Sequence, residues 1–216
     1  MYEFSLYDIV ANLLLAARWT VVLSLAAFAG GGVLGLVVLL ARVSSRPWLS
    51  WLSRCHIEVF QGTPLLMQLF LTFFGLSLLG IDVPAWLAAF LALTVFTSAF
   101  LAEIWRGCVE SVARGQWEAS ASLGLGYMEQ MRWVILPQAL RIAVPPTVGF
   151  SVQVVKGTAV TSIINFIELT KAGVMITNAT LQPMLVYGVV ALIYFALCFP
   201  LSFFAKNLER KLHGAR

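Results

Sequence analysis

The chain has 216 residues, of which 60% are hydrophobic and 11% charged, and its mean hydropathy is +0.90. Soluble domains average roughly 25% charged residues, so this composition excludes an ordinary soluble domain and indicates a membrane protein. The formal charge of +4 and the pI near 9.2 do not indicate a nucleic-acid binder, because the basic residues lie between apolar runs and form no single face.

Residues 1–18 carry Glu3 and Asp8 ahead of the first apolar run. A cleavable signal segment has a basic start and a short apolar core, so none is expected. A bilayer core needs about 20 mostly apolar residues in a helix. The first such run is 19–41. It contains Ala27, Gly31 and Gly35, a small-residue face that packs helices closely, either within the chain or against a second copy. The second run, 59–80, includes Gln61, Thr63, Pro64 and Gln68. The third, 84–102, carries Thr97 and Ser98. The fourth, 144–166, is interrupted by Gln153 and Lys156, and the fifth is 183–205. Backbone polar groups in a bilayer must be satisfied within the protein, and alternating barrel strands are absent, so the expectation is an all-α membrane protein with five spans in one domain, 1–216.

Lys and Arg set the orientation of such a chain. The segments 42–58, 103–143 and the tail after 205 carry eleven of the 14 basic residues: Arg42, Arg46, Arg54, Arg106, Arg114, Arg132, Arg141, Lys206, Arg210, Lys211 and Arg216. With five spans these segments share one face. The expected N-terminus is therefore outside and the C-terminus cytoplasmic. Cys55, Cys108 and Cys198 show no CxxC spacing and read as free thiols, two near the cytoplasmic surface and one in a membrane helix. His56 and His213 fall in polar flanks, which argues against haem ligation between spans.

Loop 103–143 is long for a connection and ordered in pattern. Arg114–Ser122 reads as a helix ending in small residues, Ala119, Ser120, Ala121 and Ser122, which let a helix enter a groove without collision. Gly124 and Gly126 suit a reversal at its end. Tyr127–Leu136 reads as a second helix stopped by Pro137. Glu103 and Arg106 have the spacing of an i,i+3 ion pair.

Within this loop, Glu118-Ala119-Ser120, then Gly124, then Val134-Ile135-Leu136-Pro137 reproduce the spacing of a known motif: E-A-small, three residues, Gly, nine residues, an aliphatic, one residue, Leu-Pro. The pattern resembles the coupling loop of the membrane subunits of bacterial ATP-binding-cassette (ABC) importers. Phe60-Gln61-Gly62-Thr63-Pro64 resembles the F-R-G-T-P segment of permeases for polar amino acids, and Ala102-Glu103-Ile104-Trp105-Arg106-Gly107 their A-E-x-x-R-G. Gly115-Gln116-Trp117-Glu118-Ala119, Pro137-Gln138-Ala139-Leu140-Arg141 and Lys156-Gly157-Thr158 resemble further segments of the same family, in the same order.

The resemblance implies a MetI-like, type I importer permease fold in the inner membrane. It makes Glu118, Ala119, Ser120, Gly124, Leu136 and Pro137 the ATPase-coupling residues. It implies as partners an ABC ATPase dimer that binds ATP and Mg, a second permease chain (identical or paralogous), a periplasmic solute-binding protein and membrane lipid. No cofactor is expected on this chain, which has no phosphate-binding loop, and no enzymatic activity is expected of it. Two departures from the family pattern bear on cargo. Gln61 stands where Arg is frequent, and Gly157 stands where many relatives place an Asp suited to a cationic substrate.

An ionisable residue inside a span is costly and marks a functional position by default. Lys156, with Gln153 one turn earlier and Thr158 following, is the candidate substrate path; Gln68, Thr97 and Ser98 are further candidates. The alternative for Lys156 is a structural cation bonded to helix-end carbonyls or to another subunit. An acidic or neutral polar amino acid is the favoured cargo. A secondary transporter or channel is the competing class, but such folds show internal repeats, and no repeat is found here.

Overall fold

Ser5 starts the first helix well ahead of the apolar run at 19–41. In the computed structural model, which describes residues 5–44 and 46–213, helix α1 spans Leu6–Arg42. The Ser5 hydroxyl accepts from the Asp8 backbone N–H at 3.2 Å, and the Asp8 carboxylate accepts from the Ser5 N–H at 3.0 Å. This reciprocal cap satisfies donors that a helix start leaves unpaired. At 1.5 Å per residue α1 is about 55 Å long, more than a bilayer core requires.

Helix α2 (Pro47–Gly62) folds back along α1, where the Ser53 hydroxyl donates to the Val38 carbonyl at 2.8 Å and Arg42 donates to the Ser50 hydroxyl at 3.1 Å. Helix α3 (Leu65–Leu78) then leaves at 106° to α2. The expected single span over 59–80 is therefore corrected to a broken pair. The cause lies in Thr63 and Pro64. A residue before proline is pushed towards extended backbone, and Thr63 has φ −112° and ψ 142°. The Gln68 amide nitrogen then donates to the carbonyls of Phe60 (2.8 Å) and Thr63 (3.1 Å), which the break has freed.

Helix α4 (Ala85–Glu110) lies against α1. A Cβ on Gly31 would come within 2.5 Å of the Thr97 side chain, and one on Gly35 within 3.0 Å of the Ser98 carbonyl, so the small-residue face serves packing within the chain. The helix runs past 102, which shortens the connection expected at 103–143. The connection contains α5 (Arg114–Ser122) and is followed by α6 (Tyr127–Ile164).

Pro137 does not end a helix at Leu136 as expected. Instead α6 passes through it by way of a π turn at Gln130–Ile135, continues as α-helix over Leu136–Gly157, and tightens to a 3-10 helix over Thr158–Ile164. Proline lacks an N–H and its ring crowds the carbonyl four residues back, and the wider π turn relieves both constraints there. The expected fourth span, 144–166, thus ends in 3-10 geometry and a left-handed Asn165.

Helix α7 (Leu169–Thr180) has no counterpart among the sequence-based expectations, and α8 (Pro183–His213) closes the described chain. Glu3 and Arg216 lie outside the described residues, as do the details of the His213 side chain. Among the described residues every element is helical. Four helices among the described residues are long and apolar enough to cross a membrane, or five if the bent α2–α3 pair counts as one span. The main core joins Leu23 and Ala27 of α1, Leu69 of α3, Ala89, Leu93 and Leu101 of α4, and Phe150 and Val154 of α6. A second cluster joins Ile9 and Leu13 of α1 to Leu169 and Ile176 of α7 and Val186 and Val190 of α8. Outward faces of α1 and α8 expose Leu14, Leu25, Val33, Leu192, Phe195 and Phe199 among others, which suits hydrocarbon and not water.

Candidate functional site

Helix α5 projects between the adjoining ends of α4 and α6. Its C-terminus is fixed by a Schellman arrangement. Leu125 N–H donates to the Ser120 carbonyl at 3.3 Å, Gly124 N–H donates to the Ala121 carbonyl at 2.9 Å, and Gly124 has φ +78°. A left-handed residue after a helix end favours glycine because it has no Cβ. Beneath α5, Val112, Ile135 and Ala139 are buried and pack with Trp117 and Met131. Trp117 also stacks on Tyr127, with ring centroids 6.2 Å apart.

This packing separates the candidate coupling residues into two groups. Ser120 faces inward, 2% exposed, and its hydroxyl donates to the Trp117 carbonyl at 2.9 Å. Glu118, Ala119, Gly124, Leu136 and Pro137 are exposed. Among the described residues the Glu118 carboxylate has no hydrogen-bond or ion-pair partner. A rigid helix with an unpaired acid and small side chains on its open face can dock in a groove of another protein. Nearby, Arg106 on α4 donates through Nε to Glu103 at 2.9 Å and also pairs with Glu110, a three-residue ion cluster at the base of the loop.

The candidate substrate-path residues do not share one surface. Gln153 and Lys156 are exposed on the same face of α6, and among the described residues neither side chain has a hydrogen-bond partner. Gln68 is buried at the α2–α3 break, where its Nε2 also reaches the Thr63 hydroxyl at 3.0 Å. Thr97 and Ser98 are fully buried at the α1–α4 contact, and Thr158 is buried with its hydroxyl donating to the Val155 carbonyl at 2.7 Å.

His56 also differs from the polar flank expected for it. It is half-buried on α2, with Nε2 2.9 Å from the Ser98 hydroxyl. Ser98 donates to the Val95 carbonyl at 2.7 Å, which leaves its oxygen to accept from Nε2–H. Gln61 donates to the Ala99 carbonyl at 3.2 Å and so ties α2 to α4.

Glu168 escaped the sequence reading altogether. It is fully buried in the link between α6 and α7. Its carboxylate accepts from the Lys171 N–H (2.8 Å), the Tyr194 hydroxyl (2.9 Å) and the Thr20 hydroxyl (3.3 Å), joining α7, α8 and α1. Burial pushes the carboxyl above its ordinary range, against the pull of these donors. The sequence carried no clear signal for this role, because the residues favoured at an N-cap are Ser, Thr, Asp and Asn, and Glu168 is not one of them.

Residues 12–214 match the family described as binding-protein-dependent transport system inner membrane component. A probable amino-acid ABC transporter permease, YckA of Bacillus subtilis, is 36% identical over 89% of this chain and 85% of its own length. The probable glutamine permease GlnM of the same organism is 36% identical over 89% of each chain. A crystal structure described as an amino acid ABC transporter with histidines superposes with a TM-score of 0.93 at 32% identity, covering 98% of this chain and 99% of that one.

Proposed function

Because the chain belongs to the family of binding-protein-dependent transport system inner membrane components, we propose that it is the permease subunit of an ATP-driven importer of polar amino acids. The observation that carries this reading is α5, held rigidly by the Gly124 turn and the Val112–Ile135–Ala139 contact while Glu118 and Ala119 stand free. A separate ATPase dimer binds ATP and Mg and receives this helix in a surface groove. A second permease chain completes the pathway, and an external solute-binding protein delivers cargo. The basic connections and tail face the cytoplasm and the N-terminus faces outward, as the Lys and Arg bias requires.

Closure of the ATPases pulls on α5, and the Ile135 contact passes that movement to α6. From Ile135 to Lys156 is about 30 Å of helix at 1.5 Å per residue, interrupted by Pro145 and Pro146, where the helix can bend. Displacement at the loop therefore moves the face that carries Gln153 and Lys156.

That face sets the cargo. Lys156 gives a low-dielectric pathway a positive bias that attracts a carboxylate and opposes a second positive charge, and Gly157 supplies no compensating acid. Glutamate, aspartate, glutamine and asparagine are the favoured substrates over arginine and lysine. The test is uptake competition in vesicles containing the whole complex. Unlabelled glutamine or glutamate should displace labelled glutamine, arginine at equal concentration should not, and Lys156→Met should impair glutamate uptake most. Displacement by arginine would sink the charge argument.

A further inference from the structure

We propose that the groove between the ends of α4, α6 and α8 on the coupling-loop side binds the phosphodiester headgroup of an anionic phospholipid. The groove has a volume of about 870 Å³, and Arg141 and Lys206 line it. Arg141 lies three residues before the apolar run 144–166, and Lys206 immediately follows the run 183–205. Both cations therefore stand at the hydrocarbon boundary, the level at which lipid phosphates lie. Both are exposed, and neither has a hydrogen-bond or ion-pair partner among the described residues.

The chemistry of the lining matches a lipid and not a free ion. A guanidinium presents a fork of donors to phosphate oxygens, while the lysine ammonium adds a point charge. Glu209 is the acidic residue of the lining, so the two cations leave net positive charge. On the membrane side the lining becomes apolar with Ile142, Pro145, Pro146, Gly149 and Ala205. A Cβ on Gly149 would lie 3.9 Å from the Ala205 side chain, so these two small residues bring α6 and α8 close together and close the floor of the groove. Pro145 and Pro146 have no N–H, which deprives the carbonyls of Arg141 and Ile142 of their usual helical donors. Those acceptors suit the hydroxyls of a glycerol headgroup. Basic pockets between spanning helices are a recognised geometry for anionic lipid headgroups. The apolar cavity of about 740 Å³ beside Trp19, Trp86 and Phe90 has no cation in its lining and does not share this chemistry.

Native mass spectrometry of the intact complex, supplied with equimolar phosphatidylglycerol and phosphatidylcholine, tests the assignment. Phosphatidylglycerol should be retained with a preference of roughly thirtyfold, as two near-surface cations imply, and excess inorganic phosphate should not displace it. The double variant Arg141→Gln, Lys206→Gln should erase the preference, whereas Arg210→Gln, outside the groove, should keep it. Gly149→Phe, which fills the floor while leaving both cations, should also lose the lipid. If the double variant fails to insert, Lys206→Gln alone should lower the preference severalfold. Equal retention of the two lipids, a preference that survives in Gly149→Phe or in the charge variants, displacement by free phosphate, or a protein subunit occupying the groove would each overturn the proposal.

Discussion

Glu168 shows how much one side chain can hold together in this fold. Its carboxylate closes α7 and accepts from α1 and α8, so its removal leaves the Lys171 N–H and the Thr20 hydroxyl short of an acceptor and turns the Tyr194 hydroxyl to its other partner, the Thr170 hydroxyl at 2.9 Å. Each unsatisfied buried group costs about 1–3 kcal/mol. Glu168→Ala should therefore lower the melting temperature of the detergent-solubilised protein markedly, and Glu168→Gln, which keeps an acceptor oxygen, should lower it less; equal and small shifts would show that the network is dispensable. Polar residues in apolar runs were legible in the sequence, but their surroundings were not. Lys156 and Thr97 gave the same signal, a polar group inside a span. Only the fold shows that Thr97 fills the space opposite Gly31 while Lys156 stands open.

Among the elements, the broken α2–α3 pair was the least readable. The composition of 59–80 is that of a span, and Pro64 gave warning of a break, but the 106° direction depends on what receives the freed carbonyls. Gln68 receives them, so Gln68→Ala should loosen the bend and destabilise the protein by about 1–3 kcal/mol, read as lower thermal stability with insertion intact. A neutral result would assign the bend to Pro64 alone. Helix α5 was readable because its end depends on local chemistry, a glycine able to adopt φ +78° after a run of small residues. The passage of α6 through Pro137 was not, since a π turn leaves no pattern in composition. Helix α7 was missed for a different reason. Its 12 residues are too few to register as a span, and its stability comes from packing Leu169 and Ile176 against α1 and α8.

For the whole molecule, the helical membrane architecture followed from hydropathy and from the need to satisfy backbone groups in lipid. Orientation rests on charge bias alone, so it makes an independent prediction. A reporter fused after Arg216 should be active only in a form that works in the cytoplasm, and periplasmic activity would reverse the topology. The central claim is that α5 couples this chain to an ATPase. The most direct measurement is ATP-dependent uptake of labelled glutamine or glutamate into proteoliposomes containing the complete importer with Gly124→Arg. A Cβ at φ +78° costs about 1–2 kcal/mol locally, and among the described residues none beyond its chain neighbours lies within 4 Å of it. The variant should therefore insert normally, deform the end of α5 and abolish uptake. Uptake at the normal rate in that variant would contradict the account.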